Sequence, residues 1–376
     1  MTWEERIAGR LEAIRAAGRW RELRVLGGRL PEVTFEGRKV VSFASNDYLG
    51  LASHPAVVEA AHAALDEWGL GAGASRLVVG HRGYHDELEA ELASWKRTEA
   101  ALSFPTGFAA NTAVLATLAD APEVLIVSDE LNHASIVDGC RLARGTLAVA
   151  RHADPGHVDE LLAAHAGPAV VVTDTVFSMD GDEAPVEELL AVCARHGAGL
   201  VLDEAHAVLG PAVDVGEARA RGVELVRVGT LSKALGSVGG FVAARREVVD
   251  LLVNVARPFI FSTGTTSADV AGALAALRIV RGAEGTALRV RLRGHIDAVA
   301  YGHPSPIVPV VLGEERAALR AAAKLLRQGL LVPAIRPPTV AVGSSRLRVA
   351  LSAAHTEAQV ERLVRALASL PAPPTR

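Results

Sequence analysis

The sequence has few lysines, cysteines, methionines and aromatic residues. Only four of its 376 residues are lysine, so arginine supplies most of the basic side chains, and only two are cysteine. The two cysteines, Cys140 and Cys193, are isolated from one another along the chain. This excludes a disulfide framework and a metal site, so we expect two small core residues in a reduced compartment and no bound metal.

Charge runs and long apolar runs are also absent. The formal net charge is −4, with arginine, aspartate and glutamate interspersed along the chain, whereas nucleic-acid and membrane-surface proteins carry a basic stripe. No apolar run approaches the roughly 20 residues of a membrane span, and the N-terminus is charged. We therefore expect a cytoplasmic protein whose partners are small molecules.

Half of the residues are apolar, which is enough for a large core and more than one domain. Short apolar runs alternate with segments of helical periodicity, and the runs cover residues 100–104, 124–127, 169–173, 199–202, 224–228 and 241–243. This alternation predicts an α/β fold with a mostly parallel sheet and helices on both faces. Ligands bind such sheets beyond the carboxyl ends of the strands.

The chain is predicted to have three parts. Residues 1–45 are expected to form an N-terminal helical segment, with an amphipathic helix from Trp3 to about Arg24. Residues 46–280 are expected to form the large α/β domain and residues 281–376 a smaller C-terminal α+β domain. Further helices are predicted at 55–68, 267–281 and 314–328, and further strands at 306–311 and 345–350.

Lys233 is the first candidate for chemistry. It lies in the glycine-flanked segment Gly229 to Gly236, directly after an apolar run. A lysine in a loop is usually a solvated surface charge, which is our interpretation of Lys39, Lys96 and Lys324. A primary amine desolvated in a pocket loses its proton more readily and can condense with an aldehyde.

Asp203 ends the apolar run 199–202, where a carboxylate needs a cationic partner. One such partner is an arginine. The other is the protonated ring nitrogen of pyridoxal 5'-phosphate (PLP), whose ring an ionised aspartate keeps effective as an electron sink. Taken with Lys233, Asp203 indicates a PLP pocket and hence an enzyme.

A phosphate site is predicted where a helix opens after the run 100–104. The first amides of this helix, at Gly107 and Phe108, can hold a phosphate with help from the helix dipole. The hydroxyls of Thr230 and Ser232 can bind the same phosphate, or they can simply end their strand.

Three more residues follow apolar runs. His133 is a candidate for stacking on the pyridine ring, although a histidine in such a loop is more often a capping or core residue. Ser178 and His206 are candidates for hydrogen bonds to the ring oxygen, and both are also ordinary turn residues. The glycine-rich segment 69–75 follows a predicted helix instead of a strand, so it lacks the context of a dinucleotide fingerprint and is interpreted as a flexible active-site loop.

In order along the chain, these segments resemble the α-oxoamine synthases, PLP-dependent enzymes of the aminotransferase-like fold (fold type I). The resemblance covers nearly the whole sequence, and the segments that carry it are 46–51, 107–111, 132–135, 176–182, 203–206 and 230–236. Several such segments in the right order are far more specific than any one of them.

The resemblance implies a role for each matching residue. Lys233 would hold the cofactor covalently, Asp203 would pair with its ring nitrogen and His133 would stack over its ring, which makes these three the catalytic residues. The other positions that match cofactor contacts are Gly107, Phe108, Ser178, His206, Thr230 and, from the neighbouring subunit of a homodimer, Thr263. The positions that match substrate contacts are Arg21, His133, Thr339 and Arg348, the last as a bidentate partner of the amino-acid carboxylate.

Within the family, residues 335–340 followed by 346–348 look most like the biotin-pathway member. That member condenses L-alanine with a pimeloyl thioester, carried on coenzyme A or acyl carrier protein, and releases carbon dioxide. Two alternatives stay open. One is a member that uses glycine or serine with another acyl group, and the other is a non-catalytic PLP-binding protein, against which the intact lysine, aspartate and histidine set argues.

Overall fold

The computed structural model describes residues 1–210 and 213–370. The helices in these residues are α1 Trp3–Ala16, α2 Pro55–Trp68, α3 Gly83–Lys96, α4 Gly107–Leu118, α5 Ala134–Leu142, α6 Pro155–Ala163, α7 Val186–His196, α8 Val215–Ala220, α9 Arg246–Val255, α10 Arg257–Ile260, α11 Ser267–Arg281, α12 Ala283–Val299, α13 Glu315–Arg327 and α14 Glu357–Ala368. None of these helices is both long and apolar enough to cross a bilayer. The cytoplasmic location stays a prediction.

The strands form three sheets. They are β1 Leu26–Arg29, β2 Glu32–Phe35, β3 Arg38–Ser42, β4 Ala100–Phe104, β5 Leu125–Asp129, β6 Thr146–Ala150, β7 Ala169–Asp174, β8 Gly199–Asp203, β9 Leu225–Thr230, β10 Gly240–Ala244, β11 Ile307–Gly313, β12 Leu330–Leu331, β13 Ala334–Ile335 and β14 Ser345–Ala350. The central sheet has seven strands in the order β4-β10-β9-β8-β7-β5-β6. Its neighbours pair in parallel except at β10, which is antiparallel to both β9 and β4.

The predicted α/β fold class is confirmed, since all six apolar runs between residues 100 and 243 form strands of this sheet. The edge strand β6 was not among them, and most of its residues are exposed. Alternate residues of the central strands face two different cores. Val172 and Val201 pack toward α4, whereas Leu200 and Leu202 pack toward α6 and α7. Cys140 and Cys193 are free and buried in these two cores.

The N-terminal segment differs from its prediction. Helix α1, whose N-terminus is capped by Thr2, ends at Ala16 instead of near Arg24, and none of its residues is buried. Residues 26–42 were expected to be helical, but they form β1 to β3, an antiparallel sheet that β12 joins beside β3. Burial alternates along β2, where Val33 and Phe35 are buried and their neighbours are exposed, as is typical of a strand. The domain boundaries at residues 46 and 281 stay predictions, and residues 371–376 of the C-terminal part lie outside the described residues.

The third sheet carries two buried arginines of the C-terminal part. It has the order β11-β14-β13, and β14 holds Arg346 and Arg348. Both side chains reach the turn after β7. Arg346 pairs with Asp180, and Nε of Arg348 donates to the Ser178 carbonyl at 2.6 Å. The small sheet is thereby tied to the carboxyl edge of the large one.

Lys96 contradicts the prediction that it is a surface lysine. It is 9% exposed, and its Nζ lies 2.6 Å from Oε2 of Glu204, the residue after β8. Arg227 of β9 binds the other oxygen of the same carboxylate, with Nε at 2.6 Å from Oε1. Burial raises the pKa of Glu204, but the two cations outweigh that effect and hold the pKa below its usual value. Lys96 is therefore buried because it pairs with Glu204. The helical periodicity around Lys96 gives no sign of this distant partner.

Replacing Glu204 with Gln leaves two buried cations without their counter-ion, so we expect the free energy of unfolding to fall by about 3 kcal/mol or more. Lys96→Met is the matched variant, because it leaves the Arg227–Glu204 pair balanced, and its loss should be clearly smaller. Urea denaturation measures both. A loss for Lys96→Met as large as that for Glu204→Gln would contradict this description of the ion triad.

Candidate active site

The carboxyl ends of the central strands meet around a cavity of about 200 Å³. Eight of the predicted site residues line it: Gly107, Phe108, His133, Asp203, His206, Thr230, Ser232 and Lys233. They arrive from the segments that follow β4, β5, β8 and β9. Because parallel strands end at the same edge, residues spread over more than 120 positions of sequence share one small space.

The other predicted site residues do not line this cavity. Arg21, Thr339 and Thr263 are exposed, and Ser178 contributes its carbonyl to Arg348. The Arg336 guanidinium donates to the Gly18 carbonyl, which holds the segment before Arg21 against the turn that carries Thr339. The roles of these residues stay predictions.

Lys233 is held by a self-closed loop. Its carbonyl accepts from the Gly236 amide at 2.9 Å, and the amides of Leu231 and Ser237 close the loop at 2.9 Å each. Gly236 has φ of +62°, and a Cβ there would lie 2.3 Å from the Ala52 nitrogen, so only glycine fits. Burial lowers the pKa of Lys233, Asp203 and Asp174 oppose this, and Arg348 adds to it.

Two buried carboxylates lie side by side at the floor of the cavity. Asp174 and Asp203 are paired in the register of β7 and β8 and are 2% and 5% exposed. Asp203 accepts from the Ala205 amide at 2.8 Å and from Nδ2 of Asn111 at 2.6 Å. Burial, with the Asp203 charge next, raises the pKa of Asp174 well above its usual value. A cation between these groups would relieve their repulsion.

The N-terminus of α4 also lines the cavity. Thr106 caps the helix by accepting from the Ala109 amide at 2.9 Å. The amides of Gly107 and Phe108 have no acceptor among the described residues. The Thr230 hydroxyl lies beside them, because a Cβ on Gly107 would be 3.7 Å from Thr230 Oγ1. Two unpaired amides at the positive end of a helix form an anion site, and the nearby Thr230 hydroxyl donates to the Gly239 carbonyl at 2.9 Å.

His133 stands over the same cavity and is fixed at two points. Its amide donates to Oδ2 of Asp174 at 2.7 Å, and its Nδ1 lies 2.7 Å from the Ser135 hydroxyl. Desolvation lowers the pKa of the His133 ring, the Asp203 charge opposes the shift and Lys233 adds to it. A neutral ring is therefore favoured at neutral pH.

His206 lines the cavity, and Arg348 lies close enough for its charge to lower the pKa of both His206 and Lys233. Nδ1 of His206 is 2.6 Å from the Tyr48 hydroxyl, and burial lowers the pKa of His206 well below its usual value. The guanidinium of Arg348 is buried and also donates from Nη2 to Oδ1 of Asn46 at 3.1 Å. Burial likewise raises the pKa of Tyr48 to about 12, although Arg348 opposes the shift.

The comparisons with known proteins agree with this arrangement. Residues 38–367 match the family of class I and II aminotransferases. The 8-amino-7-oxononanoate synthase of Anaeromyxobacter dehalogenans strain 2CP-1 is 48% identical, over 97% of this chain and 95% of its own. The enzyme of the same name from Geobacter sulfurreducens is 45% identical, over 97% of both chains. This chain belongs to the 8-amino-7-oxononanoate synthase family.

Solved structures extend the likeness to the fold. A serine palmitoyltransferase from S. paucimobilis with bound PLP and myriocin superimposes with a TM-score of 0.89, at 30% identity over 97% of each chain. The 8-amino-7-oxononanoate synthase of Francisella tularensis gives a TM-score of 0.72 at 25% identity, over 87% of this chain and 96% of its own. The predicted aminotransferase-like fold is thereby confirmed.

Three polar residues that line the cavity and bond to its predicted residues were not predicted from the sequence: Asn111, Ser135 and Asp174. Asp174 had a detectable signal, because it ends the apolar strand β7 in the same way that Asp203 ends β8. The residue pattern gives no such signal for Asn111 and Ser135, because a polar residue in a helical segment does not reveal which strand end it faces.

A histidine outside the cavity holds two of its loops together. His152 bridges Asp129, which ends β5, and Asp182, with Nδ1 to Oδ1 at 3.1 Å and Nε2 to Oδ2 at 2.8 Å. Its ring meets Phe177 edge-on at 4.4 Å. The hydrogen bonds to Asp129 and Asp182 raise the pKa of His152 to about 10, even though burial opposes them.

This raised pKa predicts a pH-dependent stability. The protonated ring stabilises the fold fully below the unfolded pKa of about 6.5, and this contribution is lost as pH rises through about 10. The excess melting temperature of the wild type over His152→Gln should therefore shrink between pH 7 and 10. His62→Gln makes the same change at an exposed site and should give a constant difference. A constant difference for His152→Gln as well would contradict the bridge.

Proposed function

We propose that this chain is a PLP-dependent enzyme of biotin biosynthesis that condenses L-alanine with a pimeloyl thioester. The products would be 8-amino-7-oxononanoate, carbon dioxide and the free thiol of coenzyme A or acyl carrier protein. The observation that carries the proposal is the convergence of Lys233, Asp203, His133 and the amides of α4 on one cavity. The near full-length similarity to 8-amino-7-oxononanoate synthases supports the choice of reaction.

The residues of the cavity fit PLP. Lys233 offers an amine for the aldehyde, and Asp203 offers a carboxylate for the protonated ring nitrogen. His133 offers a ring for stacking, while the amides of Gly107 and Phe108 would hold the phosphate with Thr230. When bound, the cofactor supplies an electron sink for the carbanion formed at the substrate Cα. Ser178 and His206 are proposed as further cofactor contacts.

Lys233 is proposed as the proton carrier. Its lowered pKa leaves more of the amine neutral at physiological pH, so the amine can accept the Cα proton of alanine and later return a proton. Asp203 provides negative charge at the end of β8, whereas the free amides of α4 provide the positive end of a helix dipole. This polarity suits a ligand with a cationic ring at one end and an anion at the other.

Arg348 is proposed to bind the carboxylate of alanine. Its hydrogen bonds to the Ser178 carbonyl and to Asn46 hold the planar guanidinium in one orientation. A fixed fork suits bidentate binding of a carboxylate. His133 is proposed to contact the same substrate, and Arg21 and Thr339 the acyl donor from their adjacent surface segments.

A homodimer is proposed, with Thr263 acting across the interface. Thr263 forms a β-bridge with Ser75, next to a segment whose apolar side chains Leu77, Val78 and Val79 are 52%, 71% and 62% exposed. Phe261 is also exposed, at 70%. Adjoining exposed apolar side chains indicate a surface that is covered in the assembled protein.

A second candidate reaction is the condensation of serine or glycine with another acyl thioester. The TM-score of 0.89 to a serine palmitoyltransferase favours it. The identity to that protein is 30%, against 48% to an 8-amino-7-oxononanoate synthase, and for this reason we place alanine first.

We predict that Lys233→Ala abolishes turnover and the covalent link to PLP, because the other lysines lie outside the cavity. Borohydride reduction followed by peptide mass spectrometry should recover the cofactor on Lys233 of the wild type. Lys39, Lys96 and Lys324 are internal controls, and a cofactor found on one of them would disprove the assignment.

Thiol release tests the proposed reaction itself. Purified protein with PLP is mixed with L-alanine, glycine or L-serine and with pimeloyl-CoA, acetyl-CoA or palmitoyl-CoA. We expect L-alanine with pimeloyl-CoA to give the highest kcat/KM and a product with the mass of 8-amino-7-oxononanoate. Faster release with glycine and acetyl-CoA, or with L-serine and palmitoyl-CoA, would select the second candidate.

A further inference from the structure

Asn111 connects two groups of the cavity that are distant in sequence. It lies in the second turn of α4 and is 1% exposed. Its Nδ2 is 2.6 Å from Oδ2 of Asp203 and 2.9 Å from Oγ of Ser135. Ser135 in turn lies 2.7 Å from Nδ1 of His133. One amide group therefore stands between Asp203 and His133.

The orientation of this amide follows from its partners. An ionised carboxylate only accepts hydrogen bonds, so the Asn111 atom that faces Asp203 at 2.6 Å is the NH₂ group. Both of its hydrogens are then used, one toward Asp203 and one toward Ser135. The amide oxygen is buried and has no partner among the described residues. A buried acceptor without a donor costs free energy. The two hydrogen bonds that the NH₂ group donates offset this cost.

The hydrogen bonds between Ser135 and His133 also determine which tautomer the neutral His133 ring adopts. The Ser135 backbone amide donates to Nδ1 of His133 at 3.2 Å, so Nδ1 is an acceptor and the neutral ring carries its hydrogen on Nε2. The Ser135 hydroxyl must then donate to Nδ1, and its oxygen accepts from Asn111. The Ser135 hydroxyl accepts one bond and donates the other, so the bond from Asn111 strengthens the bond from Ser135 to His133.

We propose that Asn111 is a positioning residue that sets the Asp203 carboxylate and the His133 ring together. Its donation to Asp203 stabilises the ionised carboxylate, and its donation to Ser135 keeps the hydroxyl directed at His133. The consequence for the cofactor rests on the proposed function, whereas the link to His133 does not.

The first experiment observes the His133 ring in the cofactor-free protein by ¹⁵N NMR with labelled histidine, assigned with His133→Gln. The wild type should show an unprotonated Nδ1 and a protonated Nε2. Asn111→Leu leaves the Ser135 hydroxyl free to rotate, and Ser135→Ala removes it. Each variant weakens the donor to Nδ1 and should therefore reduce the separation of the two nitrogen signals. Thr112→Val is the control, because the Thr112 hydroxyl bonds only to carbonyls of its own helix. It should leave both nitrogen signals unchanged.

The second experiment uses PLP labelled with ¹⁵N at its ring nitrogen. Loss of the donor to Asp203 favours transfer of the ring proton to the carboxylate, so Asn111→Leu should move the ring signal toward the unprotonated value. We also expect PLP to bind roughly tenfold or more weakly, as is typical when a hydrogen bond to a charged group is lost. Ser135→Ala keeps the bond to Asp203 and should leave the ring signal protonated.

The two experiments distinguish a positioning role of the Asn111 amide from a general effect of altered packing in α4. Unchanged His133 signals in Asn111→Leu, or equal changes in Thr112→Val, would overturn the proposal. If Asn111→Leu does not fold, Asn111→Ala removes the same amide without adding apolar bulk. A wild type that binds no PLP would refute the proposed function, while the histidine signals would still decide whether Asn111 governs His133.

Discussion

The adjacent burial of Asp174 and Asp203 is the constraint on which the site depends. Two carboxylates paired in register on neighbouring strands, both nearly inaccessible to water, repel one another and lose hydration worth several kcal/mol each. The groups around the two acids supply hydrogen bonds or positive charge. Asn111 and the Ala205 amide donate to Asp203, the His133 amide donates to Asp174, and the Lys233 amine lies in the same cavity. A ligand with a cationic ring completes the balance.

The central sheet separates this site from a second charged group. Asp203 points toward α4, whereas the next residue, Glu204, points to the opposite face and is neutralised by Lys96 and Arg227. The alternation of side chains along one strand therefore places one carboxylate in the cavity and the next in an ion triad on the other face of the sheet. The ion triad holds the end of β8, and the His152 bridge holds the loops after β5 and β7.

Much of the site was predictable, because residues at the ends of apolar strands mark the functional edge of a parallel sheet. Lys233, Asp203, His133 and Gly107 were all found by this rule, and helix α2 was found because Pro55 marks its start. Lys96 was misjudged because its burial depends on an acid 108 positions later in the sequence. Residues 26–42 were misjudged because they are stabilised by pairing with one another and, at β3, with the distant strand β12, which is set by the tertiary fold. Asn111 was overlooked because its two partners, Asp203 of β8 and Ser135 of α5, come from other elements of the fold.

A crystal structure of the protein grown with PLP tests the central claim most directly. The account predicts the ring nitrogen within hydrogen-bonding distance of Asp203, the phosphate at the amides of Gly107 and Phe108, and His133 over the ring. A phosphate bound beside Asp203 and Asp174, or a cofactor bound away from this edge of the sheet, would contradict it.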